Sequence, residues 1–355
     1  MATSDKNNHI AIAKAIGIIL MVIGHAGTPS IYIGKFIYLF HMPLFFFCSG
    51  YFFKGLMDID ELIPYCKKRL LGLYLPYLKY SLLFLLLHNI FFQFYLYEYP
   101  YDYIDFLRQG LKTLVMSDYE TMLRPFWFIK VFFLSSIIAA IVSLPYHKYS
   151  KYVNTKTITI FCIILTIMIK TTNNPIPVIG DLSVITFGVT YIYSGHLFKQ
   201  YEECIRINHL MLIIIFLATA IGCVCFIGII DMRYTTISNT IPYYLLSILG
   251  IIMVIRISQG FNRHLPSTIK NALYYIGNHT MSILALHLFA FKLGNLAKIW
   301  FYDMPIEKLS DHTIIYENNN FFWIIYIVLG ISLPIFINYI YNAWTTKLEQ
   351  NRSSR

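Results

Sequence analysis

Charge is what this chain has least of. Asp, Glu, Lys and Arg make up 13% of its 355 residues, whereas 57% are hydrophobic and 17% aromatic. An ordinary soluble domain carries about 25% charged residues, so that class is excluded. Cysteine is sparse too. Cys223 and Cys225 lie two apart and Cys48, Cys66, Cys162 and Cys204 are scattered, which offers neither a disulfide framework nor metal-ligand spacing. They read as small packing side chains, and no metal site is expected. No Walker or GxGxxG phosphate loop occurs, which argues against a nucleotide-driven pump. The net charge of +10 is spread over short connecting stretches. A nucleic-acid footprint would gather it on one soluble face, so no nucleic-acid partner is expected.

What the chain does have is apolar length. Crossing a hydrocarbon core of about 30 Å takes roughly 20 residues. Ten stretches qualify with their flanks: 10–27, 31–53, 70–97, 125–145, 157–172, 176–198, 209–230, 241–258, 271–297 and 321–344. The expected fold is therefore all-α, a polytopic bundle of about ten membrane-spanning helices. It forms a single domain over 1–350 with no separate soluble domain, because the longest loops, 98–124 and 298–320, are too short to bury a core. The first apolar run leads straight into a second, so it reads as a retained helix rather than a cleaved signal. With the N-terminus inside, 17 Lys and Arg fall on the inner side and 9 outside, with Lys79 and Lys130 within helices. That bias obeys the positive-inside rule and puts both termini in the cytoplasm.

Against this greasy background, polar residues inside the spans stand out. The stretch "VIGHAGTPSIYIGKFIYLFHMPLFFFCSG" (22–50) carries His25 and His41. Intramembrane ionisable residues are functional-site candidates, since a buried polar group is expensive without partners. Either imidazole can instead hydrogen-bond across helices and glue the bundle. His25 lies near the end of the first helix and His41 deeper in the second, about 12 Å apart in depth at 1.5 Å per residue. At the opposite face, "YCKKRLLGLYLPY" delivers Lys67, Lys68 and Arg69 where the third helix begins. Such a cluster suits anionic lipid head groups, at about 1 kcal/mol per residue. It also suits a phosphorylated donor, for which Arg supplies a planar fork. Asp181 reads as a helix N-cap or a partner that orients His25. Trp127, in "RPFWFIK", reads as an interface-belt residue or an aromatic face for a sugar ring. His287 and Ser282 sit in a late helix whose pattern is equally that of a packed bundle.

Taken in order, "IAKAIGIILMVIGHAG", "FHMPLFFFCSGYFFKG", "KKRLLGLYLPY", "FWFIKVFF" and "YYIGNHTMSILALHLF" resemble acyltransferase family 3. These integral membrane enzymes acylate, most often O-acetylate, cell-surface glycans, and the chain looks most like the branch that includes fucose 4-O-acetylases. The resemblance implies that His25 is the catalytic base and that Arg69 contacts the acyl-CoA phosphates. Lys14 falls where the family carries Arg or Lys; eleven residues before His25, it shares a helix face with it about 16 Å away. Two positions depart from the family pattern. Gly72 stands in place of the second arginine of an Arg-x-x-Arg motif, leaving donor binding to Arg69 with Lys67 or Lys68, and Ala11 stands where relatives often carry an acid.

The chemistry then expected is transfer of an acyl group, most simply acetyl, from acetyl-CoA to a hydroxyl of a surface polysaccharide or its lipid-linked precursor. A sugar hydroxyl needs a base near its proton, and the tetrahedral oxyanion needs donors that the sequence does not identify. Acetyl-CoA is a co-substrate, with no permanently bound cofactor. The partners are the glycan and membrane lipids, and the location is the plasma or bacterial inner membrane. A transporter or flippase of a glycan intermediate is the rival reading, although paired halves with matching broken helices are not visible. A glycan polymerase is disfavoured by the short outer loops.

Overall fold

The computed structural model describes residues 8–28, 30–148, 154–172, 182–205, 207–226, 228–318 and 320–353. The protein is 80% helical, and the described residues contain no strand. Chain order begins with α1 (Asn8–His25), α2 (Ile31–Tyr51), α3 (Leu62–Arg69) and α4 (Leu75–Leu86). The short α5 (His88–Gln93), α6 (Tyr103–Leu114), α7 (Trp127–Lys148), α8 (Thr155–Thr172) and α9 (Leu182–Tyr201) follow. The remainder is α10 (His209–Cys225), α11 (Thr240–His264), α12 (Ser267–Asn278), α13 (Thr280–Tyr302), α14 (Lys308–Asp311) and α15 (Phe322–Ser353).

Among the described residues, seven helical runs are long and apolar enough to cross a membrane: α1, α2, Ile59–Leu86, Thr121–Leu144, α11, α13 and Phe322–Lys347. Helices α8, α9 and α10 occupy three further expected places and fall short by that measure. α10 has only 17 residues. α9 has 20, yet its hydroxyl-rich sequence lowers its hydropathy. The reason lies in its position. α9 packs between α2, α7 and α8, and its hydroxyls find partners on α7 and α11. Tyr191 meets Ser247 at 2.6 Å, Ser194 meets Tyr244 at 2.8 Å, and Tyr193 donates to Ala139 O at 2.8 Å. A core helix shielded from lipid can be polar as long as those groups are paired.

Two expected spans are re-cut. The 70–97 stretch starts earlier, at Ile59, passes through one π-helical turn at Leu70–Tyr74 and ends at Leu86. The 271–297 stretch is broken at His279, whose backbone N–H and ring Nδ1 both turn back to Tyr275 O, at 3.1 and 2.8 Å. The break is one of backbone conformation, His279 leaving the helical region at φ −116° and ψ 29°.

Close backbone approach holds the centre together. A Cβ added at Gly50 of α2 would sit 1.9 Å from Ile192 O of α9, and one at Gly195 would sit 2.0 Å from Phe47 O. The two helices thus touch main chain to main chain, as small residues permit in membrane bundles. Ala11 of α1 meets α12 the same way, its carbonyl lying 1.9 Å from a Cβ built at Gly277.

Candidate active site

Helix α1 stops because Gly27 adopts a left-handed φ of 69°, the conformation that commonly ends a helix and that glycine takes without strain. His25 is therefore the last residue of α1, presented at its end. Its ring Nδ1 lies 3.0 Å from Nε2 of His287, a fully buried side chain on α13. The tautomers follow from the second residue's surroundings. His287 Nδ1 is 3.0 Å from both Ile283 O and Leu284 O, and carbonyls only accept, so this nitrogen carries the proton. Nε2 of neutral His287 then has a lone pair, and His25 Nδ1 donates to it. What remains is His25 Nε2, with its own lone pair free.

His41 is not the partner of His25. Its Nδ1 lies 2.8 Å from Ile37 O, one turn back on α2. Tyr38 stands beside both, its ring centroid 6.2 Å from that of His25 and 5.1 Å from that of His41.

A cavity of about 410 Å³ opens on His25, lined also by Tyr38, Arg124, Trp127, Arg233 and His312. A second space of about 210 Å³ reaches from His25 to His41, past Asp231 and the same Tyr38, Trp127 and Arg233. Trp127 thus lines both, and one of its faces is taken: the Arg233 guanidinium sits 5.3 Å over its ring. Asp231 accepts from the Arg233 backbone N–H at 2.7 Å. Burial pushes its carboxyl above the usual carboxylate value, against the opposing pull of that N–H and the Arg233 charge.

Two loops close the cavity, and buried amines on the helices pin them. Lys170 of α8 donates to Thr235 O at 2.5 Å, fixing the loop that carries Asp231 and Arg233. On α13, Lys292 donates to Leu309 O and to His312 O, the latter at 2.9 Å, and Lys298 donates to Ile315 O at 2.7 Å. Between them Asn295 accepts from the Ile315 N–H at 3.1 Å and from Tyr326 at 2.7 Å. All three α13 side chains are at most 1% exposed. Lys292 and Lys298, counted in the sequence among outer charges, are bundle residues that hold His312 and Tyr316 at the cavity.

The basic candidates lie elsewhere. Lys67 and Lys68 are exposed at the end of α3. Arg69 is committed: its Nε donates to Tyr65 Oη at 3.0 Å and an Nη donates to Ser49 Oγ at 3.3 Å, tying α3 to α2. Lys14 faces α2 within electrostatic reach of Cys48. Asp181 lies outside the described residues. At this same end, Glu202 gathers four helices. It accepts from Tyr51 at 2.5 Å and from Gln259 at 2.7 Å, and His9 Nε2 lies 3.3 Å away.

One base with a free lone pair, set by a second imidazole behind it and opening on a cavity inside an apolar bundle, is an arrangement for removing a proton from a bound hydroxyl or amine. A family model described as an acyltransferase domain matches residues 7–339. The chain belongs to the acyltransferase 3 family. It is a membrane acyltransferase, and the match spans all the helices that build the cavity. No curated protein and no solved structure matches the chain.

Sequence reasoning passed over Arg233, Asp231, Tyr38 and His312, and gave His287 no more than a place in a late helix that reads equally as a packed bundle. His287 was visible only as a polar residue in an apolar run, and its partner lies 262 residues away. "DMRY" at 231–234 was a weaker signal, a charged pair in a short connection between apolar segments.

Proposed function

We propose that this acyltransferase moves an acetyl group from acetyl-CoA to a hydroxyl of a cell-surface polysaccharide or its lipid-linked precursor, with His25 as the base. The observation that carries this reading is the His25–His287 pair at the cavity floor. With His25 Nδ1 donating to His287, Nε2 takes the proton of the sugar hydroxyl as its oxygen attacks the thioester carbon. The proton then leaves with the CoA sulfur. Accepting a proton strengthens the hydrogen bond to His287, because a charged donor binds its acceptor more tightly than a neutral one.

Lys14 and Arg69, with Lys67 and Lys68, mark the donor side, reached from the cytoplasm where both termini lie. The His25 cavity takes the glycan from the outer face, with Trp127 and the two arginines along its wall. Lys67 and Lys68, exposed at the helix end, are free to meet a phosphate, whereas Arg69 has to give up Tyr65 and Ser49 to do so.

The test is transfer of labelled acetyl from acetyl-CoA to glycan isolated from the host, by the purified protein. His25→Ala is expected to lower the rate about 10²–10⁴-fold, the usual worth of a positioned base, while His41→Ala costs less. Wild-type turnover in the His25 variant would rule the assignment out, and glycan uptake into vesicles without acetylation would favour a transporter.

A further inference from the structure

Next to the His25 cavity lies another of about 140 Å³, and Arg124, His312 and Thr313 line both. Its remaining lining is of a different kind, with Tyr97, Tyr99, Tyr101 and the carboxylates Glu98 and Asp311. The wall is built rather than left to a free loop. His88 of α5 reaches Glu120 at 2.9 Å through Nδ1 and Tyr99 O at 3.1 Å through Nε2. Its ring stacks against those of Tyr101 and Tyr97, with centroids 3.4 and 4.5 Å away. Asn89 pairs with both main-chain groups of Tyr101, at 2.9 and 2.8 Å. Held from beneath, the segment 97–101 turns the 64% exposed Tyr99 ring outward, with Glu98 exposed beside it and Asp311 exposed across the cavity.

Flat aromatic rings offer a face to the C–H side of a pyranose, and carboxylates accept its hydroxyl protons. An apolar ligand would strip water from Glu98 and Asp311 with nothing in return, and for an anion the two carboxylates outnumber the one guanidinium, Arg124. We infer that this cavity is a second saccharide subsite, holding the sugar unit next to the one acylated at His25. The acceptor is then an oligosaccharide or polymer rather than a monosaccharide. The inference rests on the reading that His25 serves a glycan hydroxyl.

The experiment uses mono-, di- and tetrasaccharides released from the host's own surface glycan, with kcat/KM for acetyl transfer measured at each length. Binding of the tetrasaccharide to the protein in detergent is measured alongside by calorimetry. The wild type is expected to gain about tenfold from mono- to tetrasaccharide, the scale of one hydrogen bond to a charged group. Tyr99→Ala and Asp311→Asn, at exposed positions that spare the core, bring that ratio towards one. Equal kcat/KM at every length, or a ratio unmoved in both variants, overturns the subsite. Tetrasaccharide binding that both variants weaken, without acetyl transfer at any length, keeps the subsite and removes the transferase reading. Absence of both binding and transfer removes both.

Discussion

The two ends of the bundle use polar side chains in opposite ways. At the Glu202 end they turn inward: Tyr51 and Gln259 donate to one carboxylate, His9 Nε2 lies 3.3 Å from it, and Arg256 holds Gln259 at 2.7 Å. At the His25 end, lysines and an asparagine take up the carbonyls of the loops, and the imidazoles, guanidiniums and tyrosines are left facing open space. A closed network braces helices. A network whose last member keeps an unused lone pair does chemistry. The contrast separates residues whose loss should harm turnover from residues whose loss should harm the fold.

The sharpest way to break it is at His287. His287→Leu leaves His25 without an acceptor for Nδ1–H, so the ring is free to present the wrong nitrogen. A fall in kcat of about 10–10² is expected, below the effect of removing His25 itself; donor affinity and melting temperature should hold. A variant that melts early without slower turnover at permissive temperature would make His287 a packing residue.

Lys292→Met should come next. It removes the amine that holds Leu309 and His312 and leaves buried carbonyls unpaired, at about 1–3 kcal/mol. The 308–316 segment then loosens, and the expected sign is a several-fold rise in KM for the glycan with KM for acetyl-CoA unchanged. Equal changes in both constants would mean that the lysine supports the whole bundle.

At the other end the readout is pH. Burial pushes the Glu202 carboxyl up, but the hydrogen bonds from His9 and Tyr51 and the Arg256 charge pull it further down, to a net position below the ordinary 4.5. A depressed carboxyl contributes stability that is complete above its unfolded value and is lost as pH falls through its folded value. The melting temperature of wild type should therefore exceed that of Glu202→Gln near neutrality, and the gap should narrow below about pH 4.5. A gap independent of pH would show that the charge is irrelevant. The smallest effect is expected at Arg69, where Arg69→Lys keeps the charge and loses the fork. Acetyl-CoA affinity should drop a few-fold, more than for Lys67→Arg; equal affinities would leave Arg69 as the tie between Tyr65 and Ser49.

Much of the architecture was legible because apolar length is a local property. Each expected span has a helix, and three of the five family motifs lie on α1 to α4, where neighbours in sequence are neighbours in space. Boundaries failed where the backbone leaves the helix inside an apolar run, as at His279, or where a polar helix was sheltered by others, as at α9. The cavity was less legible. Trp127 was flagged for its aromatic ring, and it does line the space beside His25. The cation over its face comes from a loop 106 residues later, and no periodicity reports such a pairing. Lys292, Asn295 and Lys298 follow helical spacing, yet their sequence says nothing of the main-chain oxygens they hold.

The contacts of Gly50 with Ile192 and of Gly195 with Phe47 bear on how substrates travel. An alternating-access carrier needs a seam along which one half rocks against the other, and the middle of this bundle has two backbones in contact with no side chain between them to slide or repack. Neither glycine accepts even a methyl group without moving the opposite helix. Such a joint acts as a rivet, so α2 and α9 stay fixed while the acyl group and its acceptor do the travelling.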